Sequence, residues 1–207
     1  MKRNNYQNQK TNDTRPTKRR KLNNAFSIDN IIKTKSFQNI KKKMSQEDFY
    51  RSNGSCDNIL KLVKLSNKAF GEKLQCIIKD LFNLDGSCDA GHDAQKLSMN
   101  LKFEIKSSRY GVTSKDFMWQ HIMENHDYDY LILVGIDFDC LKIYLISKYH
   151  FMKLKTKGIA TQQGRAEGQG LWAQRKKLLQ YLIEVKDVKH FYNLIQSKDE
   201  DYSDYDL

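Results

Sequence analysis

The chain has no apolar run long enough to span a membrane, and nothing in it resembles a signal peptide. An intracellular protein, cytoplasmic or nuclear, with no membrane partner is the expectation. Paired cysteines are missing too: among Cys56, Cys76, Cys88 and Cys140, no two form a C-x-x-C pair. The spacing excludes the usual zinc modules, and scattered thiols fit a reducing compartment. Cys88 and His92 read as a buried thiol beside a loop histidine. Beyond residue 43 the chain also lacks net charge. Residues 1–43 hold thirteen of the 36 Lys/Arg and two of the 25 Asp/Glu, which leaves twenty-three of each sign in the other 164. The net charge of +11 is therefore an N-terminal property.

Composition divides the chain into a basic arm over 1–43, a domain over 44–198 and an acidic tail over 199–207. A length of 207 residues fits one domain, and 39% hydrophobic residues support a modest core. The first twenty-five residues are rich in Asn, Lys, Arg and Gln and poor in apolar groups, so disorder is expected there. Arg15 to Leu22 reads Arg-Pro-Thr-Lys-Arg-Arg-Lys-Leu. It suits a nuclear import signal, an arm on DNA phosphates or a solubilising tail, and charge alone does not separate these.

Helical spacing runs through Ile59, Leu60, Leu62 and Val63, within about 48–64. It returns at Phe70, Leu74, Ile77, Ile78 and Leu81, with Ser66 or Asn67 as cap. Met99 to Ser107 alternates instead: Met99, Leu101, Phe103 and Ile105 face one way, and Lys102, Glu104 and Lys106 the other. Residues two apart on a strand share a face at roughly 6.6 Å, so Glu104 and Lys106 are neighbours. Leu97 to Asn100 allows a turn, and His92 to Leu97 then pairs back and brings Asp93 near Glu104. Two carboxylates beside an ammonium suit Mg2+ (Mn2+ as substitute), bridged by Asp93, Glu104, the Ile105 carbonyl and a phosphate oxygen. Lys106 holds or polarises an attacking water in metal-assisted hydrolysis.

The order of acid, hairpin, Glu104-Ile105-Lys106, Ser-Ser-Arg and helix resembles the PD-(D/E)XK nuclease superfamily, and within it small type II restriction endonucleases. Asp93 matches the first metal carboxylate, and Glu104 and Lys106 match the (D/E)-x-K. His92 stands where the motif has proline. The resemblance covers about residues 67–137, with a looser echo to about 172. It implies endonucleolytic cleavage of double-stranded DNA by a homodimer, since one site cuts one strand and two-fold symmetry matches palindromic targets. Relatives often use a helix glutamate, here Glu72, near the metal. The helical wheel sets Glu72 opposite the apolar stripe, where an exposed acid near the helix N-terminus is the other reading. Gln120 takes the place of a helix glutamine near the site or the DNA, or is a surface amide.

A second helix is expected from Ser114 through Glu124, with Phe117, Met118, His121 and Ile122 buried. Tyr130 to Ile136 reads as a central strand, Leu141 to Ile146 as another, and 175–183 and 188–195 as helices. The class is α/β, a mixed central sheet flanked by helices, as in a restriction-endonuclease-like core. Ser107, Ser108 and Arg109 are placed to contact the phosphate backbone. Gly158 to Trp172 holds four of the ten glycines. It resembles the recognition loop of some restriction enzymes, with Gln162, Gln163, Gly164, Arg165 and Gln169 against DNA. A mobile surface loop is the other reading. Three rivals stand beside the restriction enzyme: a structure-specific repair or recombination nuclease, a non-catalytic DNA-binding protein on the same fold, and an RNA endonuclease.

Overall fold

Ser45 caps the first helix of the unit that begins at Met44, its Oγ accepting the Asp48 N–H at 3.0 Å. The computed structural model describes residues 44–87, 91–164 and 168–197, together with Lys33. The rest of the basic arm, the acidic tail, Cys88 and Arg165 lie outside the described residues.

The helical stretch expected over 48–64 is two helices, α1 (Gln46–Ser52) and α2 (Asp57–Val63). Asn53-Gly54 separates them, and Gly54 sits at φ +83°, where a side chain would be strained. Helix α3 (Asn67–Phe82) starts at the expected cap: Ser66 Oγ accepts the Ala69 N–H at 3.4 Å. Phe70, Leu74, Ile78 and Phe82, four apart, form its buried stripe.

The chain then enters the main sheet through β1 (Asp85–Gly86), β2 (Ala94–Lys96) and β3 (Leu101–Arg109). Asn100, in the left-handed region, makes the tight β2–β3 turn after a 3-10 turn over Leu97–Met99. These three strands are antiparallel, but β3 next pairs in parallel with β5 (Tyr130–Ile136). The connection between them carries β4 (Met118–Ile122). Strand β5 is buried along its whole length, as its unbroken apolar run requires. Strand β6 (Leu141–Ser147) pairs antiparallel to β5, helix α4 (Lys148–Thr156) follows, and β9 (Ile183–Glu184) closes the far edge. The six-stranded sheet has the order β1-β2-β3-β5-β6-β9. The fold is α/β with a mixed sheet flanked by helices.

The helix expected from Ser114 to Glu124 is a strand. Strand β4 joins β8 (Leu171–Gln174) and β7 (Thr161–Gln162) in a second sheet of order β4-β8-β7. Phe117 and Trp119 are both buried and Met118 between them is not, a period of two. A bulge then shifts the register between Trp119 and Ile122, with His121 at φ +57°, and returns Ile122 to the core. That one-residue slip makes the apolar positions imitate a helix. Two bonds tie β4 to the main sheet: Met118 N–H to Ser108 Oγ (2.9 Å) and Trp119 Nε1–H to the Val134 carbonyl (2.9 Å).

The helix expected over 175–183 is shorter. Helix α5 (Arg175–Leu178) runs into a 3-10 turn, Leu179–Tyr181, and then β9. Helix α6 (Val188–Gln196) forms as expected, capped by the Asp187 carboxylate.

Two apolar layers flank the main sheet. Phe103, Ile105, Ile132 and Val134 pack with residues of α1, α2, α3 and α6. Leu131, Leu133, Tyr144 and Ile146 pack with Trp119, Leu171 and Phe151. Gly135 belongs to the second layer, and a Cβ there would stand 2.6 Å from the Phe117 ring. Gly135→Ala is expected to cost about 1–3 kcal/mol by overpacking, read as a lower urea midpoint at an unchanged slope.

Candidate functional site

The β2–β3 pairing sets Ala94 opposite Phe103, and continuing that register by one residue sets Asp93 opposite Glu104. Directly opposed residues of an antiparallel pair share a face. Lys106, two residues on, lies on the same face. The regular ladder ends at Ala94, and Asp93 takes over with its side chain: its Oδ2 accepts the Ile105 N–H at 2.8 Å, while its own N–H reaches the Phe103 carbonyl at 3.0 Å. The structure thus brings Asp93, Glu104 and Lys106 together.

The Ile105 side chain is in the core. Its N–H and C=O point to the same neighbouring strand, as in any β residue, so the carbonyl faces the β2 side of the sheet, as the N–H does.

The Glu104 side chain is 1% exposed, and its Oε1 lies 2.6 Å from Lys106 Nζ, itself 19% exposed. No aligned hydrogen bond completes that oxygen. His126 Nδ1 stands 3.4 Å from it and 3.5 Å from Oε2. Asp93 is half-buried. Behind Glu104 lies Tyr128, whose buried hydroxyl has no hydrogen-bond partner among the described residues. Burial first, and then the charges of Glu104 and Glu124, push that phenol well above the ordinary range. Both ring nitrogens of His92, next to Asp93, are also buried without a partner. The stretch that carries His126 is tied down on both sides. Lys148 Nζ donates to the His126 carbonyl at 2.5 Å, and Lys102 pairs with Asp127.

No three His, Cys, Asp or Glu side chains among the described residues form a ready-made metal cage. The donor set is two carboxylates and a carbonyl directed to one strand edge, with a buried carboxylate oxygen short of hydrogen bonds. That set fits a hard cation that keeps part of its water shell, such as Mg2+. His126, Tyr128 and His92 were not among the residues expected at the site from sequence, although a polar His-Asp-Tyr-Asp run directly before an apolar strand marks the place of the first two.

The other expected site residues are dispersed. Glu72 is on α3 with its carboxylate 63% exposed and 3.8 Å from Lys68 Nζ, the exposed-acid reading. Gln120 is on strand β4 rather than on a helix, and its side chain is exposed. Ser108 does not face phosphate: it is buried, and its Oγ accepts the Met118 N–H and donates to the Arg109 carbonyl. Ser107 sits across β3, near Gly71 of α3. Arg109 is also committed within the fold, its guanidinium donating to the Leu65 carbonyl (2.5 Å) and Asn67 Oδ1 (3.0 Å) and lying 3.8 Å over the Phe70 ring. Burial lowers its pKa. The reason is direction: β3 turns its last residues alternately to α3 and to β4, and both sides are covered. Arg109→Ala is expected to cost about 1.5–3 kcal/mol of stability and to leave the salt dependence of DNA affinity unchanged; a shallower salt slope would return Arg109 to the phosphates.

Within the segment Gly158 to Trp172, Thr161–Gln162 and Leu171–Trp172 pair as a β7–β8 hairpin, and residues 165–167 of the connection lie outside the described residues. Gln163 is tied to β4, its Oε1 accepting the His121 N–H at 2.9 Å. His121 is exposed, not in a buried stripe. Gln162, Gly164 and Gln169 are exposed, and the Gln169 amide lies over Gly164, where an added Cβ would meet it at 2.0 Å. No helix among the described residues is long and apolar enough to cross a membrane. No family model matches the chain, and no curated protein matches it by sequence.

Proposed function

We propose that the protein is a Mg2+-dependent endodeoxyribonuclease that hydrolyses phosphodiester bonds in double-stranded DNA, in the manner of a type II restriction enzyme. The observation that carries this reading is the convergence of Asp93, Glu104 and Lys106 on one face where β2 meets β3. Asp93, Glu104 and the Ile105 carbonyl would hold the divalent ion, Mg2+ or Mn2+. That ion supplies Lewis acidity at the phosphate and a more acidic bound water. Lys106 holds the attacking water and offsets charge that develops on the phosphorane. Asp93 and Glu104 share a strand pair, so their spacing is set by the sheet and not by a loop. Cutting both strands calls for two copies of the site, hence a homodimer, inside the cell with its DNA.

The near-complete cover of Glu104 by its surroundings favours a second reading, a DNA-binding protein without turnover. One experiment separates them. Purified protein is incubated with supercoiled plasmid, and separately with RNA, in Mg2+, Mn2+ or EDTA. Discrete linear fragments that vanish in EDTA support the sequence-specific enzyme. Nicks or a smear point to a structure-reading nuclease, and RNA cutting alone to a ribonuclease. Retarded but intact plasmid in every metal rejects catalysis.

A further inference from the structure

Residues 44–207 are neutral in sum, yet 148–180 hold eight lysines or arginines against one acid, Glu167. The described part of that stretch folds as α4, the β7–β8 hairpin and α5. Some of its charges are matched: Lys155 pairs with Glu124, Arg175 with Asp116, and Lys148 donates to the His126 carbonyl. Lys157, Lys176 and Lys177 have no ion pair among the described residues.

The second sheet has one face in the core and one outside. Trp119, Leu171 and Ala173 are buried. Alternation turns Trp172 and Gln174 the other way, and cross-strand pairing adds Thr161, opposite Trp172, and Met118, opposite Gln174. Trp172 is 37% exposed. Ile159, Thr161, Trp172, Gln174 and Lys177 together line a shallow hollow. An exposed indole with amide and hydroxyl edges and the Lys177 ammonium at its side, with exposed Lys157 and Lys176 close by in the chain, has the chemistry that stacks an unpaired base and neutralises its flanking phosphates. A protein partner suits the patch less well, because lysine is depleted at protein interfaces.

We propose that the outer face of the β4-β8-β7 sheet binds single-stranded DNA, with one base stacked on Trp172 and its phosphates met by Lys157, Lys176 and Lys177. This site requires no metal and stands apart from duplex cleavage.

The test uses the full chain in EDTA and a fluorescently labelled oligothymidylate of about a dozen nucleotides. The chain has two tryptophans. Trp119 is fully buried with its Nε1 bonded to the Val134 carbonyl, so quenching on titration reports Trp172. Quenching is expected, and Trp172→Ala weakens binding about tenfold by anisotropy. Trp172→Tyr restores most of it. The double change Lys176→Ala/Lys177→Ala lowers the slope of log affinity against log salt by about 1.4. Absent quenching, or an unchanged affinity in Trp172→Ala, overturns the proposal; so does binding of oligouridylate in place of oligothymidylate. Intact quenching in EDTA together with no plasmid cutting in Mg2+ would sink the nuclease reading alone.

Discussion

Lys106→Ala is expected to lower plasmid cleavage by at least about a hundredfold, the scale of removing one preorganised electrostatic group. Duplex binding in EDTA should stay close to that of the parent chain. The same substitution has a second consequence, which follows from burial. Glu104 is 1% exposed, and Lys106 Nζ, 2.6 Å away, is its main counter-charge. Removing one partner of a buried pair leaves an uncompensated charge, at a cost of about 3–5 kcal/mol. A simple loss of activity could then reflect unfolding, and a double variant separates the two causes. Glu104→Gln/Lys106→Ala removes the charge along with its partner, so it should unfold at higher urea than Lys106→Ala while remaining equally inactive. Non-additivity of this sign is the mark of a coupled pair. A Lys106→Ala protein that folds, binds and cuts at the parental rate would remove Lys106 from the chemistry.

Asp116→Ala is expected to be strongly destabilising although it lies outside the site, by about 3–5 kcal/mol. Asp116 is 1% exposed and precedes β4. One carboxylate oxygen accepts from Arg175 Nε at 2.9 Å, and the other accepts the Lys176 N–H at 2.8 Å. It therefore joins the entry to β4 with the start of α5, two segments about sixty residues apart in the chain. Alanine leaves the Arg175 guanidinium over the Phe117 ring without its anion. Guanidinium unfolding measures the loss. Arg175→Met in the Asp116→Ala background should recover part of it, because pairs replaced by apolar groups are often neutral or better. A change under about 0.5 kcal/mol in Asp116→Ala would mean the pair contributes no net stability.

Much of the architecture could be read in the residues, and the failures have physical causes. The alternation from Met99 to Ser107 and the unbroken apolar run Tyr130 to Ile136 each point to one element type, and both became strands, the first two residues further on than expected and the second with the expected bounds. Ser66 announced the start of α3 because a hydroxyl before an apolar stripe has one local use. The stretch after Ser114 misled, since a bulge at His121 replaced a period of two with a spacing that suits a helix equally well. Nothing local encodes a bulge that is stabilised by Gln163, forty-two residues away. The trio was legible because two of its members lie two apart on one strand and the third is a hairpin away. His126 and Tyr128 were not, since their approach to Glu104 depends on the parallel β3–β5 pairing, which no short-range pattern specifies. Arg109 misled for a related reason: a basic residue after a strand looks free until α3 is packed beside it.

Asp93 is asked to serve two masters. The carboxylate oxygen that closes the end of the β2–β3 ladder at Ile105 belongs to the group that would be drawn toward a cation. A cation on the other carboxylate oxygen would hold the same side chain in place, and an ion that binds only the folded corner stabilises it, so occupancy and fraying at this corner of the sheet would be thermodynamically linked. The Ile105 amide is accordingly a built-in gauge, whose proton exchange with solvent should slow as an ion loads, before any strand of DNA is cut.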